Sequence, residues 1–371
     1  MTEPSAYELD AWHNIQLFKG RPLSRGMRSV GEQVANGASK LNERATEYLE
    51  THPSAQSAVS RGQQMVAKGV RTIGSGARRT ADVIPNGLSD WGGAVFGSAR
   101  STMGRISRVG LSPSGVVKKH KKRGHDVKSL ADVRRLDLEH LDAVRGRGAN
   151  WAYPIIAAAS GGVAGVLISG GEGTIVASAG ASAAPSGAVI AGAFLGDAAV
   201  VLGLASRCVG EVSLLYGYDP EDPAEKLFVM SVVNAGTAMS AGAKTAALSD
   251  ISRLTQALFR GKTWAVLDKS LVSQVSQQFA TAFGKRLTKQ GLGKVVPAWG
   301  VFVGITLNWA TLESILDVAN NEYRKRFLLE KYPHLNTGEA SPSFTDVVAD
   351  DADEAISVIN EIVEAGGPDL H

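Results

Sequence analysis

The chain has 371 residues, of which 44% are apolar and only 6% aromatic, with 42 glycines, so one large core or two ordinary ones must pack by close backbone approach more than by bulky side chains. A single cysteine, Cys208, rules out an internal disulfide and suits a reducing compartment. The net charge of +3 conceals an asymmetry: residues 1–150 carry 24 Lys/Arg against 14 Asp/Glu, residues 151–333 carry 15 against 13, and residues 334–371 carry none against 9.

The start, MTEPSAYELD, is acidic and polar and lacks the basic and apolar regions of a secretory signal, so an intracellular protein is expected. Residues 5–20 place Tyr7, Leu9, Trp12, Ile15, Leu17 and Phe18 near the helical period. This predicts an amphipathic helix that either packs on the body of the protein or lies in a membrane interface. From Gly26 to Arg108, Gly, Ala and Ser run among periodic Val, Leu and Ile, with breaks at Pro53 and Pro85-Asn86-Gly87. Within that stretch Val59, Met65, Val66, Val70 and Ile73 stand opposite Arg61, Lys68, Arg71, Arg78 and Arg79, a face suited to anionic headgroups or to water.

The most basic run is Lys118-Lys119-His120-Lys121-Lys122-Arg123. No aromatic residue is interleaved to stack bases and no nucleic-acid module accompanies it, so an anionic membrane surface or plain solvation is favoured over nucleic acid. LADVRRLDLEHLDAV, residues 130–144, reads as one helix. Glu139, His140 and Asp142 on it point to different faces, so no metal site is expected and His140 reads as a lone exposed histidine.

Two uncharged runs follow, Ile155–Gly171 and Gly173–Gly196, separated only by Glu172. Each is about long enough to span a bilayer, which takes roughly 20 apolar residues. The second is mostly Gly, Ala and Ser and is interrupted by Pro185, which weakens it as a span. Gly161/Gly165, Gly192/Gly196 and Gly300/Gly304 repeat a spacing that lets helices cross closely, in lipid or in a soluble core. Shallow or conditional insertion fits this composition better than full spanning or a purely soluble core.

Residues 187–216 form an apolar helix that acquires Asp197, Arg207 and Glu211, and it stops at Tyr216-Gly217-Tyr218-Asp219-Pro220. Gly217 suits the left-handed position beyond a helix end. Asp222 is the expected N-cap of the next helix, with Pro223 at its first position and Glu225 reaching back as in a capping box. Arg207 and Glu211, four apart, can pair, whereas Asp197 lies about 21 Å from Glu211 along the axis. With Asn308 these residues form either a structural polar cluster or the carboxylate site of a hydrolase.

Helical patterns continue over 223–248, 249–260 and 263–289. An apolar helix from Trp299 to Leu316 carries Asn308, and a charged one from Asn320 to Tyr332 carries Arg324, Lys325, Arg326 and Lys331 near its C-terminus, as the helix dipole prefers. Residues 344–363 of the acidic tail contain enough Val and Ile for a short helix, either mobile or folded back on the basic N-terminal region. No G-x-S-x-G, H-E-x-x-H, Walker A or paired C-x-x-C occurs, and no cofactor is implied.

Four ordered stretches together resemble the EcsC protein family: AYELDAWHNIQLFKG, KKHKKRGHDVKSLADVRRLDLEHLD, LYGYDPEDPAEKLFVMSVVNAG, and VPAWGVFVGITLNW with EYRKRFLLEKY. The resemblance implies a helical, membrane-associated bacterial protein that accompanies an ABC transporter or a secretion process, and it brings no catalytic residues. The expected fold is thus an all-α, multi-helix bundle with Gly/Ala-rich, closely packed apolar helices. Residues 1–110 are its basic amphipathic N-terminal part, 111–333 the core with the apolar middle (151–216) and the corner, and 334–371 an acidic tail. The corner residues are Tyr216, Gly217, Asp219, Asp222, Pro223 and Glu225. Lys118, Lys119, Lys121, Lys122 and Arg123 are the candidates for contact with anionic lipid, and a membrane transporter is the implied protein partner. The alternatives are a hydrolase using Asp197, Glu211 and Asn308, or a nucleic-acid-associated basic protein.

Overall fold

A computed structural model of the chain describes residues 3–18, 20, 23, 111–145, 187–259, 269–292, 300–335 and 356–368; the side chains of 187–200, 259, 269–270, 284–292 and 300–308 lie outside that description. Within it the chain is all α: α1 (Ala6–Leu17), α2 (Pro113–Lys122), α3 (Leu130–Val133), α4 (Leu138–Arg145), α5 (Gly187–Leu215), α6 (Pro223–Gly236), α7 (Ala241–Phe259), α8 (Lys269–Leu292), α9 (Gly300–Lys331), a 3-10 turn (Pro333–Leu335) and α10 (Val358–Glu364). Gly26–Arg108, Ile155–Gly171 and the first part of Gly173–Gly196, with the helices and membrane contacts expected of them, lie outside the described residues.

Two helices organise the packing. α6 touches α5, α7, α8, α9 and α10, and α9 touches α1, α5, α6 and α7. α6 is short and buried nearly all round, with Leu227, Phe228, Val232, Val233 and Ala235 in the core. Gly236 shows how closely it crosses α9: a methyl group there would stand 2.6 Å from Ile315 Cα. α9 spans 32 residues, about 48 Å at 1.5 Å per residue, and its apolar and charged halves form one uninterrupted helix.

The helix boundaries follow local chemistry. Ser5 and Glu8 cap α1 reciprocally, each side chain meeting the other's backbone N–H. α1 buries Glu8, Ala11 and Ile15 against α4 and α9 and leaves Leu9 and Leu17 exposed at 49% and 64%. It therefore packs on the body of the protein while still presenting leucines to the outside. The helix expected over 130–144 is two helices: Ser129 and Asp132 form a capping box on α3, and the chain turns before α4. Lys331 enters that turn, donating to the Leu136 carbonyl at 3.1 Å and to Asp137 at 2.6 Å. The pattern over 223–248 is likewise broken. Thr237 turns its hydroxyl back onto the carbonyls of Val233 and Asn234, and Ser240 caps α7 through the Ala243 N–H.

Part of the acidic tail is built into the core. Ile356, Val358, Ile359 and Ile362 are buried and α10 lies against α6, α7 and α8. Asn234 donates to the Ile356 carbonyl at 2.6 Å and the Ser357 hydroxyl donates to Asp250 at 2.5 Å. Among the described residues no helix is long and apolar enough to cross a membrane.

Candidate functional site

The corner between α5 and α6 closes as the sequence predicts, by a Schellman turn. The Gly217 N–H reaches the Leu214 carbonyl and the Tyr218 N–H reaches Ser213, both at 3.0 Å, with Gly217 at φ +85°. Glycine is required there twice over, because a methyl group would also meet the Leu130 carbonyl oxygen at 2.7 Å. Asp219 accepts from the Glu221 N–H at 3.0 Å. Asp222 is the N-cap and Pro223 is at the first position, but Asp222 makes no capping bond through its side chain.

Glu225 departs from its expected role. It does not reach back to the cap but turns inward, 3% exposed, where its Oε2 accepts from Arg326 at 2.8 Å. Its Oε1 accepts from the Tyr323 hydroxyl and lies 3.2 Å from the Ser213 hydroxyl, whose one proton is shared with the Tyr218 carbonyl. Arg326 lies over the rings of Tyr218, at 4.0 Å from the centroid, and Phe228, at 4.9 Å, and its Nε reaches Glu330. A buried charge is tolerated here because it is paired, stacked and hydrogen-bonded at once. Burial, and then the Glu225 carboxylate, push the Tyr323 hydroxyl well above its ordinary range, so it remains a donor at physiological pH.

Two further clasps repeat the arrangement. Arg324 pairs with Asp142 of α4, and that carboxylate also accepts from the Tyr7 hydroxyl at 2.8 Å. Burial, and then the Asp142 carboxylate, raise the Tyr7 hydroxyl to about 12. Glu8 is wholly buried. Its oxygens accept from Lys331 at 2.8 Å, Tyr332 at 2.7 Å, the Ser5 N–H at 3.0 Å and the Leu138 N–H at 3.3 Å. Burial alone would raise the Glu8 carboxyl, but the bonds from Lys331, Ser5, Tyr332 and Leu138 outweigh it and hold it at about 2.

Arg324, Arg326 and Lys331 are thus structural partners of Asp142, Glu225 and Glu8, rather than solvated groups placed for the helix dipole. Each of these carboxylates already faces a cation, so the seam joins α1, α4 and the α5–α6 corner to α9 and is not arranged as an acid–base pair. Sequence reasoning missed Glu8, Tyr323, Arg324, Arg326 and Lys331 as a set. The available signal was the alternation of charged and aromatic residues in EYRKRFLLEKY, which an exposed helix face does not need.

Arg207 and Glu211 are half-buried on α5, on either side of fully buried Cys208, whose thiol is pushed up by burial and then by Glu211. The side chains of Asp197 and Asn308 lie outside the described residues, so of the expected polar cluster the structure places only Arg207 and Glu211. Lys118, Lys119, Lys121, Lys122 and Arg123 are all exposed, on and just beyond α2. His140 is exposed but not alone, since its ring lies 4.7 Å from that of His125.

Fold and seam together define an all-helical bundle protein clasped by buried ion pairs. Residues 172–328 match the model of the EcsC protein family. The chain is also 28% identical over 137 residues to the uncharacterized protein YdbA of Bacillus subtilis strain 168. That match covers 36% of this chain and 47% of the relative, so the chain spans about half the length of the curated relative it matches. No solved structure matches. The seam extends beyond the family match at both ends, from Glu8 to Lys331 and Tyr332.

Proposed function

We propose that this is a helical binding or regulatory protein of the EcsC type that works peripherally at an anionic membrane face, inside the cell and beside a membrane transporter. One observation supports the reading: α4 contacts both the helix that exposes Leu9 and Leu17 and the end of the basic run. On one side α4 seats α1, through Tyr7 with Asp142 and Glu8 with the Leu138 N–H, and α1 exposes Leu9 and Leu17. On the other it holds the end of the basic run, Arg123 donating to the Ala143 carbonyl. Basic residues near an anionic surface contribute about 1 kcal/mol each and a buried leucine about 2 kcal/mol, so the combination gives reversible attachment without a span.

Sedimentation with phosphatidylglycerol vesicles and with phosphatidylcholine vesicles tests this. Binding is expected to the anionic vesicles only, to fall steeply with salt, and to drop about tenfold or more in Lys118→Glu/Lys119→Glu/Lys122→Glu. Equal binding to both vesicle types, or none to either at low salt, contradicts it.

A further inference from the structure

The sequence His120-Lys121-Lys122-Arg123-Gly124-His125 folds back on itself at the end of α2. Gly124, at φ +85°, lets its N–H reach the Lys121 carbonyl at 3.0 Å, while the His125 N–H reaches the His120 carbonyl at 3.2 Å. This second Schellman turn sets the two imidazoles against one another, Nδ1 to Nδ1 at 3.1 Å with ring centroids 5.3 Å apart. His140 of α4 adds a third ring, 4.7 Å from His125. The row therefore links α2, the turn and α4 from a fully buried end at His120 to an exposed end at His140.

An Nδ1–H···Nδ1 bond needs one nitrogen without its proton, because two protonated imidazoles would bring two N–H groups face to face. The groups acting most strongly on a charge at His120, after burial itself, are His125, Arg123 and His140, none of which welcomes a further positive charge. Of the neighbouring elements, α3 carries Asp132, which is engaged by Ser129 and the Lys128 N–H. α5 carries Arg207 and Glu211 around Cys208, and α4 carries Asp142, held by Tyr7 and Arg324, with Glu139 and Arg145. His120 Nε2 is buried without a hydrogen-bond partner.

We infer that the His120–His125 pair, with the His140 ring stacked beside it, is a proton-operated latch that holds the basic helix α2 to the bundle when the pair is neutral and frees it on acidification. Burial, and then the neighbouring charges, push His120 down to about 4 and lower His125 as well, so both are neutral at pH 7. The folded state disfavours their protonation, hence the latch loses strength as pH falls below the ordinary histidine range, near 6.5, toward 4. Opening frees the helix and adds positive charge to the run of Lys118, Lys119, Lys121, Lys122 and Arg123. The consequence for lipid rests on the membrane reading above; the latch itself does not.

Hydrogen–deuterium exchange on the full chain without lipid, corrected for intrinsic exchange, measures the latch at pH 7.5 and pH 5. Protection of residues 113–127 is expected to fall on the order of tenfold at pH 5, while α6 and α9 keep theirs. His120→Phe, an uncharged ring of similar shape, should remove most of that fall, and His125→Asn, at a half-exposed position, should reduce it if the first variant does not fold. Equal protection of 113–127 at the two pH values, or an undiminished fall in the variants, overturns the latch. Binding to phosphatidylglycerol vesicles is measured separately at both pH values. A responsive helix with no vesicle binding retains the latch and removes the membrane role.

Discussion

The seam at the end of α9 and the turn at the end of α2 deal with buried ionisable groups in opposite ways. In the seam Glu225, Asp142 and Glu8 each face a cation at hydrogen-bond distance, and the opposed charges hold four parts of the chain together. At the turn His120 is equally buried, yet the charges nearest to it are cationic or neutral. A buried group met by its opposite stays charged and stiffens the fold, whereas one met by its own kind stays neutral and makes the local structure answer to pH.

The largest expected effect lies in the best-enclosed clasp. Arg326→Ala leaves Glu225 buried without its cation and should destabilise the protein by about 3–5 kcal/mol, read as a lowered urea midpoint. A loss below about 1 kcal/mol would show that water or another cation replaces the guanidinium.

Glu8 and His120 should separate on a pH axis. Because the Glu8 carboxyl is held at about 2 in the folded state against an ordinary value of 4.5, its contribution is complete above pH 4.5 and is lost as pH falls from there toward 2. Thermal melts of the wild type and Glu8→Gln should draw together as pH is lowered from 7 to 3, with more than half of the gap lost by pH 3. Melts that stay parallel would mean that Glu8 is not charged in the fold. His120 loses its contribution earlier, between about pH 6.5 and 4, and only around α2.

The smallest effect belongs to the rim. Tyr7 is 41% exposed, so Tyr7→Phe removes a bond to Asp142 that water can replace and should cost about 0.5–1 kcal/mol in a denaturant titration. A cost above 2 kcal/mol would place the Asp142 clasp deeper than its exposure indicates.

Local chemistry in the sequence carried the fold class, the Gly217 corner and Pro223 at the helix start, because each rests on neighbours in the chain. The seam was not legible for the converse reason. Glu8 and Lys331 are 323 residues apart, and nothing within a helical turn of either announces the other. Glu225 was misassigned because the third position of a helix suits both a capping carboxylate and one turned inward; only the arrival of Arg326 and Tyr323 decides between them. The break between α3 and α4 has the same origin, since Lys331 and Glu8 take up polar groups of the turn that an unbroken helix would use internally. The histidine row depends on the turn at Gly124 and on a contact from His140 of another helix, and neither stands out in the local sequence pattern.

A double-mutant cycle between Glu225 and Arg326, using Glu225→Gln and Arg326→Met, tests the central claim that buried opposite charges clasp the bundle. The account predicts a coupling free energy of about 2 kcal/mol or more, the double variant being clearly more stable than the sum of the two single losses. Additive losses, with coupling below about 0.5 kcal/mol, would contradict it.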